Sequence, residues 1–196
     1  MPVTLRPFRK EPFTPMSKVL ISTRLLLESS SLVTPKSPPR APEKPPEYFA
    51  RLLVPDASTH TTAWKNFTAG IDEFGHGRFG HDYPNVVRSP IRRDIPSKRW
   101  PADIVCFMTV KSGANFKPGL FDLDRQDLMD PAAELYPGCF VRISARPWGY
   151  EGQLFGRGIS LSLDNLQKLG DSQRLAFARG DGSEFGDLDP DDDIMS

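Results

Sequence analysis

Twenty prolines stand in a chain of 196 residues, and they limit the fold more than any other feature. A proline inside a helix removes a backbone hydrogen bond and collides with the preceding turn. A chain interrupted this often is not a helical bundle; it reads as strands joined by loops. Pro2, Pro7, Pro12 and Pro15 also break up the N-terminus, so it lacks the continuous apolar stretch of a secretory signal. No apolar run approaches the roughly 18 residues of a membrane-spanning helix. The length suits one domain with modest extensions. Cys106 and Cys139, the only cysteines, cannot make a disulfide framework, and a reducing cytoplasm is the expected compartment.

The formal net charge is zero, but the charges are divided. Residues 171–196 hold eight acids and two bases, whereas residues 1–170 hold 23 bases and 17 acids. A mildly basic body with an acidic tail permits a polyanionic partner. The chain therefore divides into a disordered basic extension (1–16), a folded domain (17–170) and an acidic flexible tail (171–196). Met16 is read as an alternative start.

Hydrophobic periodicity predicts a strand over 17–33, with Val19, Ile21, Thr23, Leu25 and Leu27 on one face. A Pro-rich charged loop follows over 34–47, read as polyproline II. Further strands are predicted over 48–54 and 158–163, and a helix near 57–69 with Ala63 and Phe67 at i, i+4. The apolar run 103–110 reads as a central buried strand. Residues 75–101 are too rich in Gly, Pro and Arg for a long regular element, and Pro131 opens a short helical turn. Five or so strands, one helix and long loops indicate a mainly β fold, a small antiparallel barrel of the OB type with disordered termini.

The clearest local pattern is CFVRISARPWGY, residues 139–150. Cys139, Val141, Ile143 and Ala145 alternate with Phe140, Arg142, Ser144, Arg146, Trp148 and Tyr150. The first set is small and apolar; the second mixes cations with flat rings. Single-stranded nucleic acid requires that mixture, because bases stack on aromatic faces and guanidinium groups fork onto phosphates. Arg142, Arg146 and Arg157 are the candidate phosphate contacts, and Trp148, Tyr150 and Phe155 the candidate stacking rings. Packing of those rings as a second core layer is the competing reading. The segment 78–99 adds Lys98 and Arg99 as loop contacts, on a mobile basic loop able to close over a strand; a solvated surface loop is the competing reading. The tail residues Asp189, Asp191, Asp192, Asp193 and Ile194 form an acidic partner-binding tip that can also occupy a basic groove.

Catalytic and metal patterns are weak. The His76 and His81 spacing fits no closed zinc site. Asp122, Asp124, Asp127 and Asp130 lack the central Gly and terminal Glu of a calcium loop. Gly75, Gly77 and Gly80 match the letters of a dinucleotide fingerprint but follow no strand. No cofactor, metal or enzymatic activity is expected. A metal-dependent nuclease using His76 and His81 is the weakest alternative.

The block YPGCFVRISARPWGY, followed by GRGISLSLDNLQKLGD, resembles the C-terminal half of phage replication single-stranded DNA-binding proteins built on one OB fold. MSKVLIST, Met16 to Thr23, resembles their opening. Asp191-Asp192-Asp193-Ile194 is similar to the acidic tip of bacterial single-stranded DNA-binding proteins, although this chain ends Met195-Ser196 and not in an aromatic. The resemblance implies a non-enzymatic protein that coats single strands during replication and recombination. It also implies recruitment of polymerase, helicase or annealing partners, and frequent dimerisation. A structural or accessory phage protein whose barrel mediates protein contacts is the second reading.

Overall fold

The computed structural model describes residues 18–38, 42–93, 100–152 and 156–175. Among them are nine strands and three α-helices: β1 (Leu20–Ile21), β2 (Leu25–Lys36), β3 (Glu47–Pro55), α1 (Asp56–Thr59), α2 (Thr62–Phe79), β4 (Val87–Arg88), β5 (Ile91–Arg92), β6 (Ile104–Gly113), β7 (Gly119–Phe121), α3 (Pro131–Glu134), β8 (Phe140–Gly152) and β9 (Gly156–Gly170).

Five of the strands close on themselves. β2 pairs β3, β3 pairs β6, β9 pairs β8 and β8 pairs β2, all antiparallel, while β6 pairs β9 in parallel. A ring in which the first, second, third, fifth and fourth strands follow one another is the OB arrangement, and closure removes the exposed edges that would invite aggregation. The parallel step qualifies the expected antiparallel barrel. It arises because the last strand returns beside the third.

The inward positions are apolar, most of them small or branched. Leu25, Leu27, Ala50, Leu52, Val54, Met108, Val110, Val141, Ile143, Ala145, Leu161 and Leu163 are all essentially buried in one core. The helix α2 adds Trp64, Phe67 and Ile71 to it. Its N-cap, Thr61, accepts the Trp64 backbone N–H at 3.1 Å, a contact that stabilises a helix by about 1 kcal/mol.

Several local expectations are corrected. The predicted strand over 17–33 is two strands, because Ser22 leaves the ladder. Its Oγ accepts the Ile143 N–H at 3.0 Å, and its own N–H donates to Ile143 O. Val19 and Ile21 consequently lie exposed, off the face of Leu25 and Leu27. The buried helical stripe begins at Trp64; Ala63 is exposed. That helix also runs ten residues past its predicted end, into the segment read as irregular. The same segment supplies β4 and β5, which pair β9 and β6 where those two strands splay apart. Arg88 and Arg92 therefore sit on paired strands, not on a mobile loop. The strand β6 is central, but only one of its faces is fully buried: Val105 is exposed and Phe107 half-buried.

Candidate functional site

The outward face of β8 carries Arg142, Ser144, Arg146, Trp148 and Tyr150, while Val141, Ile143, Ala145 and Pro147 are buried. Trp148 is 48% exposed, so its ring is not a second core layer. Its centroid lies 6.0 Å from that of Tyr150, the rings inclined at 59°. The hydroxyl end of Tyr150 in turn covers its cross-strand partner Gly158; a Cβ there would sit 2.2 Å from the Tyr150 hydroxyl oxygen. On the opposite side of β8, Gly149 admits the end of α2, where Phe79 would be 2.9 Å from a Cβ. Gly158 thus makes room for the Tyr150 ring, and Gly149 for the end of the helix.

Its cations are held by neighbours. Arg142 Nε donates to Gln167 Oε1 at 2.6 Å. Arg146 Nε pairs with Asp164 at 2.9 Å. Arg157 pairs with Asp82 and lies 3.8 Å from Glu151. The structure therefore brings Arg142, Arg146, Trp148 and Tyr150 together on one outward surface; Arg157 opposes Glu151, one residue past Tyr150, and so lies on the other face of the β8–β9 ribbon, toward Asp82 just beyond α2. Phe155, Lys98, Arg99 and the tail residues Asp189, Asp191, Asp192, Asp193 and Ile194 lie outside the described residues.

A second cation–aromatic face was not foreseen from the sequence. On β3 and β6 the outward residues are Phe49, Arg51, Phe107, Thr109 and Lys111. Trp100 meets Phe107 edge-on at 5.2 Å. Its indole N–H donates to Glu28 at 3.2 Å, and Glu28 also pairs with Arg51 at 3.5 Å. Glu28 is only 7% exposed. Strand register joins the two faces: Phe49 opposes Lys111, Lys111 opposes Ser162, and Ser162 opposes Arg146. At about 4.8 Å per strand, this lateral row runs about 14 Å from Phe49 to Arg146. No local signal pointed to it: in Glu47-Tyr48-Phe49-Ala50-Arg51 the outward Phe49 is as apolar as its inward neighbours.

Residues 171–175, the start of the segment read as tail, lie against Tyr136. Its hydroxyl donates to Asp171 at 2.9 Å, Arg174 stands 4.5 Å above its ring, and Leu175 N–H donates to Pro137 O. Hydrogen bonds from Lys168 and then Tyr136 hold Asp171 below the usual carboxylate range, and the same bond to Asp171 raises Lys168. Burial raises the Cys106 and Cys139 thiols and, with the Asp72 carboxylate at its hydroxyl, Tyr83. Among the described residues no group of three His, Cys, Asp or Glu side chains converges as a metal site, and no helix is long and apolar enough to cross a membrane.

Comparison with known proteins adds to this geometry. The sequence family described as "Enterobacter phage Enc34, ssDNA-binding protein" matches residues 18–195. The fold is similar to that of the single-stranded DNA-binding protein from bacteriophage Enc34 in complex with ssDNA, at 19% identity and a TM-score of 0.65, covering 81% of this chain and 89% of that one. A second structure of the Enc34 protein aligns at 20% identity and a TM-score of 0.63, over 86% of this chain and 90% of that one. The bacteriophage T7 single-stranded DNA-binding protein gp2.5 aligns at 13% identity and a TM-score of 0.57, over 91% of this chain and 99% of that one. At such identities the likeness is one of fold. No curated protein sequence matches the chain.

Proposed function

The chain belongs to the family of the Enterobacter phage Enc34 ssDNA-binding protein, and from that premise we propose that it binds single-stranded DNA without reading its sequence. In this reading it coats strands exposed during phage replication and recombination, and does no chemistry on them. The observation that carries the proposal is the outward strip of β8: a half-exposed Trp148 and an inclined Tyr150 in line with Arg146 and Arg142. Rings at that exposure can stack on unpaired bases, each stack contributing roughly 1–3 kcal/mol with little regard to base identity. Arg142, Arg146 and Arg157 contact phosphates. Phe155, Lys98 and Arg99 belong to the same interface by their place in the sequence. The acidic tip, Asp189 to Ile194, recruits replication proteins and competes with DNA for the cations, and two copies of the chain associate as a dimer.

Titration with oligo-dT, followed by tryptophan fluorescence at two salt concentrations, tests the reading. Trp64 is buried in the core and Trp100 is bonded to Glu28, so quenching reports mainly on Trp148. The expected result is strong quenching in the wild type and little in Trp148→Ala, whose binding weakens by roughly 1–3 kcal/mol. Affinity should fall with salt at a log–log slope of about −0.7 per phosphate engaged. A folded Trp148→Ala protein that binds as well as wild type overturns the site. A wild-type protein that binds no oligo-dT at low salt overturns the function.

A further inference from the structure

The strip does not end at Arg142. Beyond it, four strands frame an open groove of about 420 Å³ lined by Ile21, Phe121, Arg125, Arg142, Ser144 and Asn165, among others. Its floor consists of two lateral rows. In the first, Ile21 opposes Ser144, Ser144 opposes Asn165, and Asn165 opposes Gly119. In the second, Arg142 opposes Gln167 and Gln167 opposes Phe121. The Phe121 ring leans over Gly119, where a Cβ would come within 2.6 Å of it and 2.5 Å of Asn165 Oδ1. The ring therefore forms a wall of the groove and is not folded into the core.

The chemistry of this groove differs from that of the strip above it. There, Arg146 is matched by Asp164. The groove is lined by two guanidinium groups and no carboxylate. Arg142 uses only Nε, toward the amide oxygen of Gln167, which leaves the four Nη hydrogens without a protein acceptor among the described residues. Gln167 is fixed in turn by donating to the Asp122 and Leu123 carbonyls at 2.7 and 3.1 Å. Asp122, on the hairpin above, accepts the Gln126 N–H at 2.8 Å. Asn165 donates to Ser144 Oγ at 3.0 Å, and its Oδ1 takes part in no hydrogen bond among the described residues.

Arg125 holds its place against its own backbone preference. Its φ is +65°, a conformation that glycine adopts freely and side-chain-bearing residues rarely do. At the end of such a hairpin turn glycine is the ordinary choice. Here a cation stands there, and it lines the groove.

Resting on the DNA-binding reading above, we propose that this groove is a subsite for one nucleotide of the same unpaired strand. Arg125 and Arg142 take its phosphate, Phe121 and the exposed Ile21 take the faces of its base, and Asn165 takes a polar edge. The subsite lies eight residues along β8 from Tyr150, about 26 Å at strand rise. The DNA path therefore extends past the strip to the β7 hairpin. An amide edge beside an aromatic wall binds a base; bare phosphate needs neither.

Two variants test it against oligo-dT beside the wild type. Arg125→Gly removes the cation and relieves the positive φ. It should melt at the same or a higher temperature, yet bind about fivefold or more weakly, with a salt slope flatter by about 0.7. Phe121→Leu keeps apolar volume but loses the flat face, and should weaken binding about fivefold or more with little change in salt slope. If the wild type binds oligo-dT and both variants match it in affinity and slope, the subsite is overturned and the parent reading stands. If the wild type itself fails to bind at low salt, both are overturned.

Discussion

The barrel has two outward faces built from the same ingredients, and they are used differently. On β8 and β9 the rings are open: Trp148 is half-exposed, with the Tyr150 ring 6.0 Å away. On β3 and β6 the rings are committed: Trp100 lies edge-on to Phe107 and is bonded to a buried Glu28 that also holds Arg51. Composition does not separate the two faces; their partners do. A tryptophan whose N–H is bonded and whose edge is covered contributes to folding, whereas one with a free face is available to a ligand. OB barrels commonly bind oligonucleotides on the face of the second and third strands, which here are β3 and β6. The comparison therefore has two live outcomes, and charge reversal separates them with the largest expected effect.

Arg146→Glu combined with Arg157→Glu should weaken oligo-dT binding by more than about a hundredfold, since each charged contact is worth roughly 1.5–3 kcal/mol. The salt slope should flatten by about 1.4 for two lost phosphates. Both residues are substantially exposed, and breaking exposed ion pairs costs stability about 0–1 kcal/mol each. Arg51→Glu should act oppositely. It places a second carboxylate beside Glu28, whose burial leaves it poorly solvated, and should lower thermal stability by roughly 1–3 kcal/mol with the smaller change in DNA affinity. If Arg51→Glu abolishes binding while the double reversal spares it, the strand lies on β3 and β6.

The first face was legible in the sequence and the second was not, for a physical reason. Along 140–150 the inward residues are small and apolar and the outward ones mix cations with flat rings, so a half-buried strand announces its period. Along 104–110 the outward residues include Val105 and Phe107, themselves apolar, and the run looks buried on both faces. The bond between Trp100 and Glu28 spans 72 positions, and no local pattern records it. The break at Ser22 is of the same kind, set by a bond to Ile143 on a distant strand. The OB-like class of barrel was legible from the inventory of elements, whereas the parallel β6–β9 step was not. The cradle of acids around Arg146 and Arg157 was not, because Asp82 lies 75 positions from Arg157.

Gly158→Ala sharpens the comparison without touching a charge. The new methyl would occupy the position of the Tyr150 ring and must tilt it off the sheet. Tyr150 is half-exposed, so folding should be little affected, while oligo-dT binding should weaken by about 1 kcal/mol, the lower end of a stacking contribution. Unchanged binding would remove Tyr150 from the interface and leave Trp148 as the ring of interest. Deleting residues 181–196 should act in the other direction. With that acidic segment gone, affinity should rise several-fold at low salt and converge with wild type as salt screens the cations. Equal affinity across the salt series would leave those residues with partner recruitment alone.

The smallest effect comes from the acids inside the strip. Asp164 holds Arg146 at 2.9 Å within the strip, and Asp82 pairs with Arg157 on the other face of the ribbon, so a phosphate approaching either cation must displace a carboxylate. Such exposed pairs are worth about 0.2–1 kcal/mol. Asp164→Asn should therefore raise oligo-dT affinity by roughly that amount, about 1.5- to fivefold, with stability nearly unchanged. The gain should shrink as salt rises, because the replaced carboxylate is itself screened. On the β3–β6 face the matching change, Glu28→Gln, should cost stability and leave affinity where it was, since Glu28 anchors Trp100 and Arg51 and stands buried, away from any phosphate. If Glu28→Gln tightens binding and Asp164→Asn does not, the open and committed faces have been assigned the wrong way round.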